Sequence, residues 1–319
     1  MDFMETMAKF LVAAVGSGTP ILFGTLGEIV NEKAGHLNLG VQGMMAVGGC
    51  AGFIAGYYSD SLLVALLAAF LGGVLASLIY AVLTVTFLAN QNVTGLSLTI
   101  FGVGLANFVG KSVLNATGAG TLKLPEGIAG QLKSIRLPFL CDLPVIGTLT
   151  SHNIFLWLAI AIAIALSIYL GHTRTGRNLR AIGENPAAAD AAGIRVMKMK
   201  YANLLLGGGI CGLGGAYASM LINNGVWVNN NIGEFGWIAV ALVIFAVWRP
   251  GMAVLGSFLF GALRVIRFYV PGSVPIPNAV YDMLPFLMTA LVLVVSSMTK
   301  SRKNSQPASC GINYFREER

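Results

Sequence analysis

The sequence predicts an all-α, polytopic integral membrane protein, and three observations carry that prediction. Hydrophobic residues make up 56% of the 319 and charged residues only 10%, for a mean hydropathy of +0.76. Soluble domains carry about 25% charged residues, so this chain has too little polar surface to cover a globule in water. Its apolar residues fall in runs of the length needed to cross a bilayer, and its basic residues gather between those runs. The net charge of +7 therefore points to loop asymmetry across a membrane and not to nucleic acid.

Taken in order, the candidate spans are 10–29, 37–58, 62–89, 93–113, 154–171, 201–222, 235–248, 252–270 and 280–298. That gives about nine transmembrane helices, the seventh short enough to be re-entrant or broken. Arg249-Pro250-Gly251 separates the seventh and eighth as a tight turn. Residues 1–300 form one transmembrane domain, and 301–319 form a cytoplasmic tail. The N-terminus carries Asp2 and Glu5 ahead of its apolar run and lacks a basic signal-peptide start, so the first segment reads as a retained span.

Orientation follows from lysine and arginine. The segment 172–200 holds Arg174, Arg177, Arg180, Arg195, Lys198 and Lys200, which places it in the cytoplasm. Alternation then sets the N-terminus outside and the C-terminus inside, with 13 basic residues inside against seven outside. Arg264 and Arg267 run against the trend and are expected to snorkel or face a cavity. The outer loop 114–153 is long for a connection without a function, a platform for an external partner or, more plainly, a lid over the pore mouth.

Within 172–200, Asn185 is a good N-cap, Pro186 suits the first helical position, and the Ala-rich run to Ala192 propagates a helix. Gly193 can turn left-handed at its end. Two turns are too few to persist alone in water, which points to a docking element held by a partner. The plain alternative is a solvated loop.

Small residues recur at Gly48, Gly52 and Gly56 and at Gly208 and Gly212, the spacing that lets helices approach closely in lipid. The turn carrying Gly35, Gly40 and Gly43 permits broken helix ends and close backbone approach, a device of transporter binding sites, or simply a tight turn. Two nucleotide-like patterns fail. Gly104 to Ser112 has five residues between its glycines where a P-loop has four, and Gly207-x-Gly209-x-x-Gly212 lies inside an apolar helix with no strand before it. The four cysteines and three histidines are scattered, with no metal-ligand or disulfide spacing, and no cofactor is implied.

Catalytic motifs are absent, and no carboxylate pair is expected inside the spans, since Glu28, Glu32, Glu234 and Asp282 fall near predicted span ends. That disfavours an ion-coupled carrier. The polar residues in or beside the spans are mostly neutral. Asn38, Gln42, Asn92, Thr94 and Asn107 are the candidates for a path suited to an uncharged, hydrogen-bonding solute, with interhelical bonding as the alternative role.

At this point the chain resembles a known group. Glu32-Lys-Ala-Gly35-His-Leu-Asn38-Leu-Gly40-Val-Gln42-Gly43 is similar to a signature of ABC-importer permeases for branched-chain amino acids, ribose and nucleosides. Gly176 to Gly193 resembles that group's cytoplasmic coupling loop, and Gly236 to Gly261 and Pro307 to Arg319 resemble its later motifs, the tail being typical of the shorter nucleoside-type permease. The resemblance implies a type II-like importer fold and no enzymatic activity in this chain. It also implies a bacterial cell-membrane location, a second, longer permease, a cytoplasmic ATPase and an extracytoplasmic binding lipoprotein. Nucleosides or simple sugars would be the solute. The ATPase contact would fall on Gly176, Arg177, Arg180, Ala181, Gly183, Glu184, Asn185, Ala188, Ala192 and Gly193. Gln42 stands where many members have Glu.

Overall fold

The computed structural model describes residues 3–132, 152–269, 277–298 and 306–315, and among these an isolated antiparallel bridge joins Lys123 and Val226. The helices that overlap the predicted spans are α1 (Phe3–Lys33), α2 (Val41–Ser59), α3 (Leu62–Ala81), α4 (Gln91–Thr117), α6 (Ile154–His172), α9 (Val196–Tyr217), α10 (Phe235–Phe245), α11 (Pro250–Val265) and α12 (Asn278–Met298). Three short helices complete the set: α5 (Glu126–Gln131), α7 (Arg174–Glu184) and α8 (Pro186–Ala191). A helix occupies every predicted span. By length and hydropathy, six helical stretches among the described residues can cross a bilayer unaided, beginning at Glu5, Leu62, Gln91, Ile154, Val196 and Pro250.

The exceptions have physical causes. Helix α10 has 11 residues, about 16 Å, and so reaches only half-way across the hydrocarbon core. It stops because Val247 and Trp248 take positive φ, +52° and +53°, and Arg249 then leads into Pro250 at the start of α11. Helix α2 is long enough but rich in glycine, and it sits inside the bundle instead of facing lipid.

Helices α1, α2, α3 and α9 form the centre. Gly48 of α2 and Gly73 of α3 lie so close to α9 that a side chain at either would strike Gly212 or the Gly208 backbone, and one at Gly212 would strike the Ala69 carbonyl. The small-residue faces predicted from spacing meet one another here. Hydroxyls pin the same seams: Ser77 donates to the Leu204 carbonyl at 2.6 Å and Ser219 to that of Gly49 at 3.0 Å. The pseudo-nucleotide glycines are accounted for as well, since Gly207, Gly209 and Gly212 are packing positions within α9 and Gly104 faces open space on α4.

The described part of the outer loop packs inward. The Leu124 N–H donates to the Gly225 carbonyl and the Trp227 N–H to that of Leu122, and Asp60 accepts from the Ile128 N–H at 2.7 Å. Residues 133–151 of that loop lie outside the described residues. Arg264 lays its guanidinium over the Phe235 ring at 4.1 Å, and Arg267 lies over Phe268 at 4.7 Å, so ring faces accept both cations.

One expectation is corrected. Helix α1 does not end at residue 29 but runs on to Lys33, so Glu28 and Glu32, near the span end as expected, pair one turn apart in its last turns. Glu28 is 0% exposed and Glu32 2%. The helix can continue because both carboxyl groups find donors. Glu28 accepts from Asn31 Nδ2 at 2.9 Å and the Asn38 N–H at 2.8 Å. Glu32 accepts from Trp248 Nε1 at 2.6 Å, 216 residues away. Hydropathy alone stops a span where charge begins, and it has no view of such distant partners.

Candidate coupling site and solute path

Thr173 starts the polar element. Its Oγ1 accepts from the Gly176 N–H at 2.9 Å, an N-cap that begins α7 directly after α6. The capping threonine was a readable signal, yet the sequence reading marked only the second helix. Leu179 and Ile182 turn inward, while Arg177, Arg180, Ala181 and Glu184 face outward. Gly176 abuts the Tyr169 carbonyl of α6, and Gly183 abuts that of Lys33 in α1. These two glycines are buried, and their role is to seat α7 on the bundle while their neighbours form the outer surface.

Asn185 ends one helix and begins the next. Its N–H donates to the Ala181 carbonyl at 2.9 Å, and its Oδ1 accepts from the Ala188 N–H at 3.0 Å. Pro186 takes the first position of α8, and Gly193, at φ +83°, reverses the chain after Ala192. Ala188, Ala192 and Gly193 are exposed; Ala189 is buried with Ile182 and Val196 in a small core separate from the main one. The predicted caps are thus in place, and α7, α8 and the start of α9 form one docked unit.

The tail, 306–315, holds this unit to the bundle. Ser309 donates from its N–H to the Gly183 carbonyl at 2.9 Å and from its hydroxyl to the same oxygen at 2.6 Å. Tyr314 donates to Asp190 at 2.9 Å. Asn313 donates to the Ala89 carbonyl at 3.1 Å and accepts from Gln91, whose Oε1 accepts from the Leu37 N–H. Gln306 approaches Glu32 at 3.4 Å. A single strap therefore touches α7, α8, the end of α1 and the start of α4. Burial pushes the Cys310 thiol on this strap well above its ordinary range.

The five candidate path residues do not gather at one point. Asn38 is buried in the α1–α2 turn, where its Oδ1 accepts from the Gly40 N–H. Gly35 in that turn has φ +81°, and Gly43 abuts the Leu98 carbonyl of α4. Thr94 bonds back to the Asn90 carbonyl, and Asn92 is exposed in the first turn of α4. Gln42 and Asn107 do meet: both line a cavity of about 110 Å³ with Asn230, Asn231 and Gly233. Gln42 accepts from the Gly236 N–H at 2.7 Å and donates to the Gly233 carbonyl, and Asn107 donates to Asn230 at 2.7 Å. The asparagine run 229–231 was the missed signal.

With this geometry in place, comparison with known proteins decides the family. The model of the branched-chain amino acid transport system permease component matches residues 10–293. The chain belongs to this permease family. Three relatives place it further. A nucleoside ABC transporter permease of Lactococcus lactis is 31% identical over 330 aligned positions, covering all of both chains. A guanosine ABC transporter permease of Bacillus subtilis is 30% identical over 92% of this chain and 93% of its own. A Haloferax volcanii protein, provisionally named a glucose ABC transporter permease, is 32% identical over 83% of this chain and 78% of its own. The protein is an ABC transporter permease, a multi-span transport component.

Proposed function

We propose that this permease forms half of the nucleoside path of a heteromeric ABC importer, with a longer permease as the other half. A separate cytoplasmic ATPase would dock on Arg177, Arg180, Ala181, Glu184, Asn185, Ala188, Ala192 and Gly193, and an extracytoplasmic lipoprotein would deliver solute. The observation that carries the solute is the end-to-end similarity to a permease named for nucleosides. The outward face of α7–α8 supports the docking. It offers two arginines and small alanines on a unit that Gly176 and Gly183 seat and Ser309 clamps. The tail packs against that same unit, which supports a cell-membrane topology with the C-terminus in the cytoplasm and the N-terminus outside. The amide-lined cavity at Gln42 and Asn107, with the asparagine run beside it, suits an uncharged solute rich in hydrogen-bonding groups.

The glucose-named relative favours a second reading, a simple-sugar path through the same fold. Titration of the cognate lipoprotein with inosine, guanosine, adenosine, ribose and galactose separates the two; binding of sugars alone would overturn the nucleoside assignment. For docking, Arg177→Glu and Ala188→Trp are each expected to leave the permease folded and abolish ATPase capture. Normal ATP-driven uptake with either change would refute the docking face.

A further inference from the structure

Beside the docking unit lies a cavity of about 620 Å³, between residues 84–88 that follow α3, the start of α9 and the tail. Three cations line it: Arg195, Lys198 and Lys200. The first two are exposed, but Lys200 is only 4% exposed. One carboxylate, Asp190, shares the lining and is held by the Tyr314 hydroxyl, so the cavity keeps an excess of positive charge. An ammonium held this far from bulk water is costly, and an anion in the cavity it lines would offset that cost.

The mouth of the cavity identifies the kind of anion. Along α3 and the helical segment that continues it, an exposed apolar stripe runs at four-residue steps through Leu67, Leu71, Leu75, Ile79 and Leu83 to Phe87, which is 71% exposed. That stripe ends where Thr86 and Leu88 enter the cavity wall, and Met197 and Phe315 extend the apolar rim. A soluble anion has no use for such a track. An amphiphile with a charged head and a hydrocarbon chain fits both features, the head among the cations and the chain along α3.

We propose that this cavity binds the phosphate headgroup of an anionic phospholipid, against the docking unit that the tail clamps. Basic pockets between membrane helices hold such headgroups, each nearby cation adding about 1 kcal/mol, or roughly fivefold in affinity. Only the choice of leaflet rests on the proposed orientation. Retention of lipid by the permease depends on neither the solute nor the ATPase.

The test is native mass spectrometry of the purified transporter complex, stripped in detergent and titrated with phosphatidylglycerol or phosphatidylcholine. Wild type is expected to retain phosphatidylglycerol preferentially. Lys200→Gln should weaken that retention about fivefold, Arg195→Gln and Lys198→Gln together by a similar factor or more, and the distant Lys111→Gln not at all. The Arg195 and Lys198 changes lie at exposed positions, so the test survives if Lys200→Gln fails to fold. Equal retention of both lipids overturns the proposal, as does retention unchanged by the double variant. Displacement of phosphatidylglycerol by millimolar inorganic phosphate with no loss on removing the acyl chains would assign a free-phosphate site and overturn the lipid. Loss of lipid on ATPase docking, or a second permease crosslinked along the α3 stripe, would assign the surface to a protein partner and overturn it too.

Discussion

Trp248→Phe tests whether the buried node at the end of α1 holds the half-span α10 in place. Trp248 is buried in the left-handed turn after α10, and its indole N–H meets Glu32 at 2.6 Å. Phenylalanine keeps an aromatic ring but removes that donor, leaving the Glu32 oxygen with Gln306 at 3.4 Å. A hydrogen bond to a charged group contributes about 1.5–3 kcal/mol net, and the smaller ring leaves a void worth about 1 kcal/mol more. The sum of about 2.5–4 kcal/mol corresponds to a fall in Tm of roughly 4–6 °C for a chain of this size. Unfolding of the detergent-solubilised permease can be followed with a fluorogenic thiol reagent, because Cys50 and Cys211 are buried and unbridged.

A double-mutant cycle separates the bond from the packing. Glu32→Met alone strands the indole N–H, whereas the double variant strands neither partner. The two single losses are therefore expected to exceed the double loss by about 1.5–3 kcal/mol. Additive losses, or an unchanged Tm for Trp248→Phe, would refute the claim that this contact organises the inner end of the bundle.

Gly212→Ala should lower Tm by several degrees, because its methyl would press on the Ala69 carbonyl and overpacking costs about 1–3 kcal/mol, while Gly104→Ala, facing open space, should be neutral or slightly stabilising in the same assay. Asn185→Ala removes the cap of α8 at a cost of about 1 kcal/mol, so hydrogen exchange at 188–193 should quicken about fivefold with the global Tm little changed. His36 is buried with no hydrogen bond to either ring nitrogen among the described residues, and burial, aided by the Lys200 ammonium, holds its pKa well below the ordinary 6.5. The unfolded chain therefore binds the extra proton first, and stability should be full above about pH 6.5 and decline below it by up to about 1.4 kcal/mol per pH unit. His36→Phe should flatten that decline in a Tm-against-pH series.

The docking element was the most legible site in the sequence because its signals are local. Asn185, Pro186 and Gly193 act within four residues of themselves, and the structure places each at the cap, first turn or reversal that its chemistry predicts. Helix α7 was missed although Thr173 announces it, since its apolar face is only Leu179 and Ile182 between glycines. The path candidates were harder. An amide that bonds a neighbouring helix and one that lines a cavity look the same in one dimension, and only Gln42 and Asn107 share a space.

By itself the sequence determined a many-span helical membrane protein, its segment order, its family motifs and the caps of its docking helix. Hydropathy, charge asymmetry and capping depend only on residues near one another in the chain. Tertiary structure alone decided that Glu28 and Glu32 are buried in the last turns of α1, that α10 stops after 11 residues, and that Lys200 lines a cavity. It also decided that the tail joins the docking unit to α1 and α4. Each of these rests on a contact between residues far apart in sequence, where partners and not composition set whether a buried polar group is tolerated.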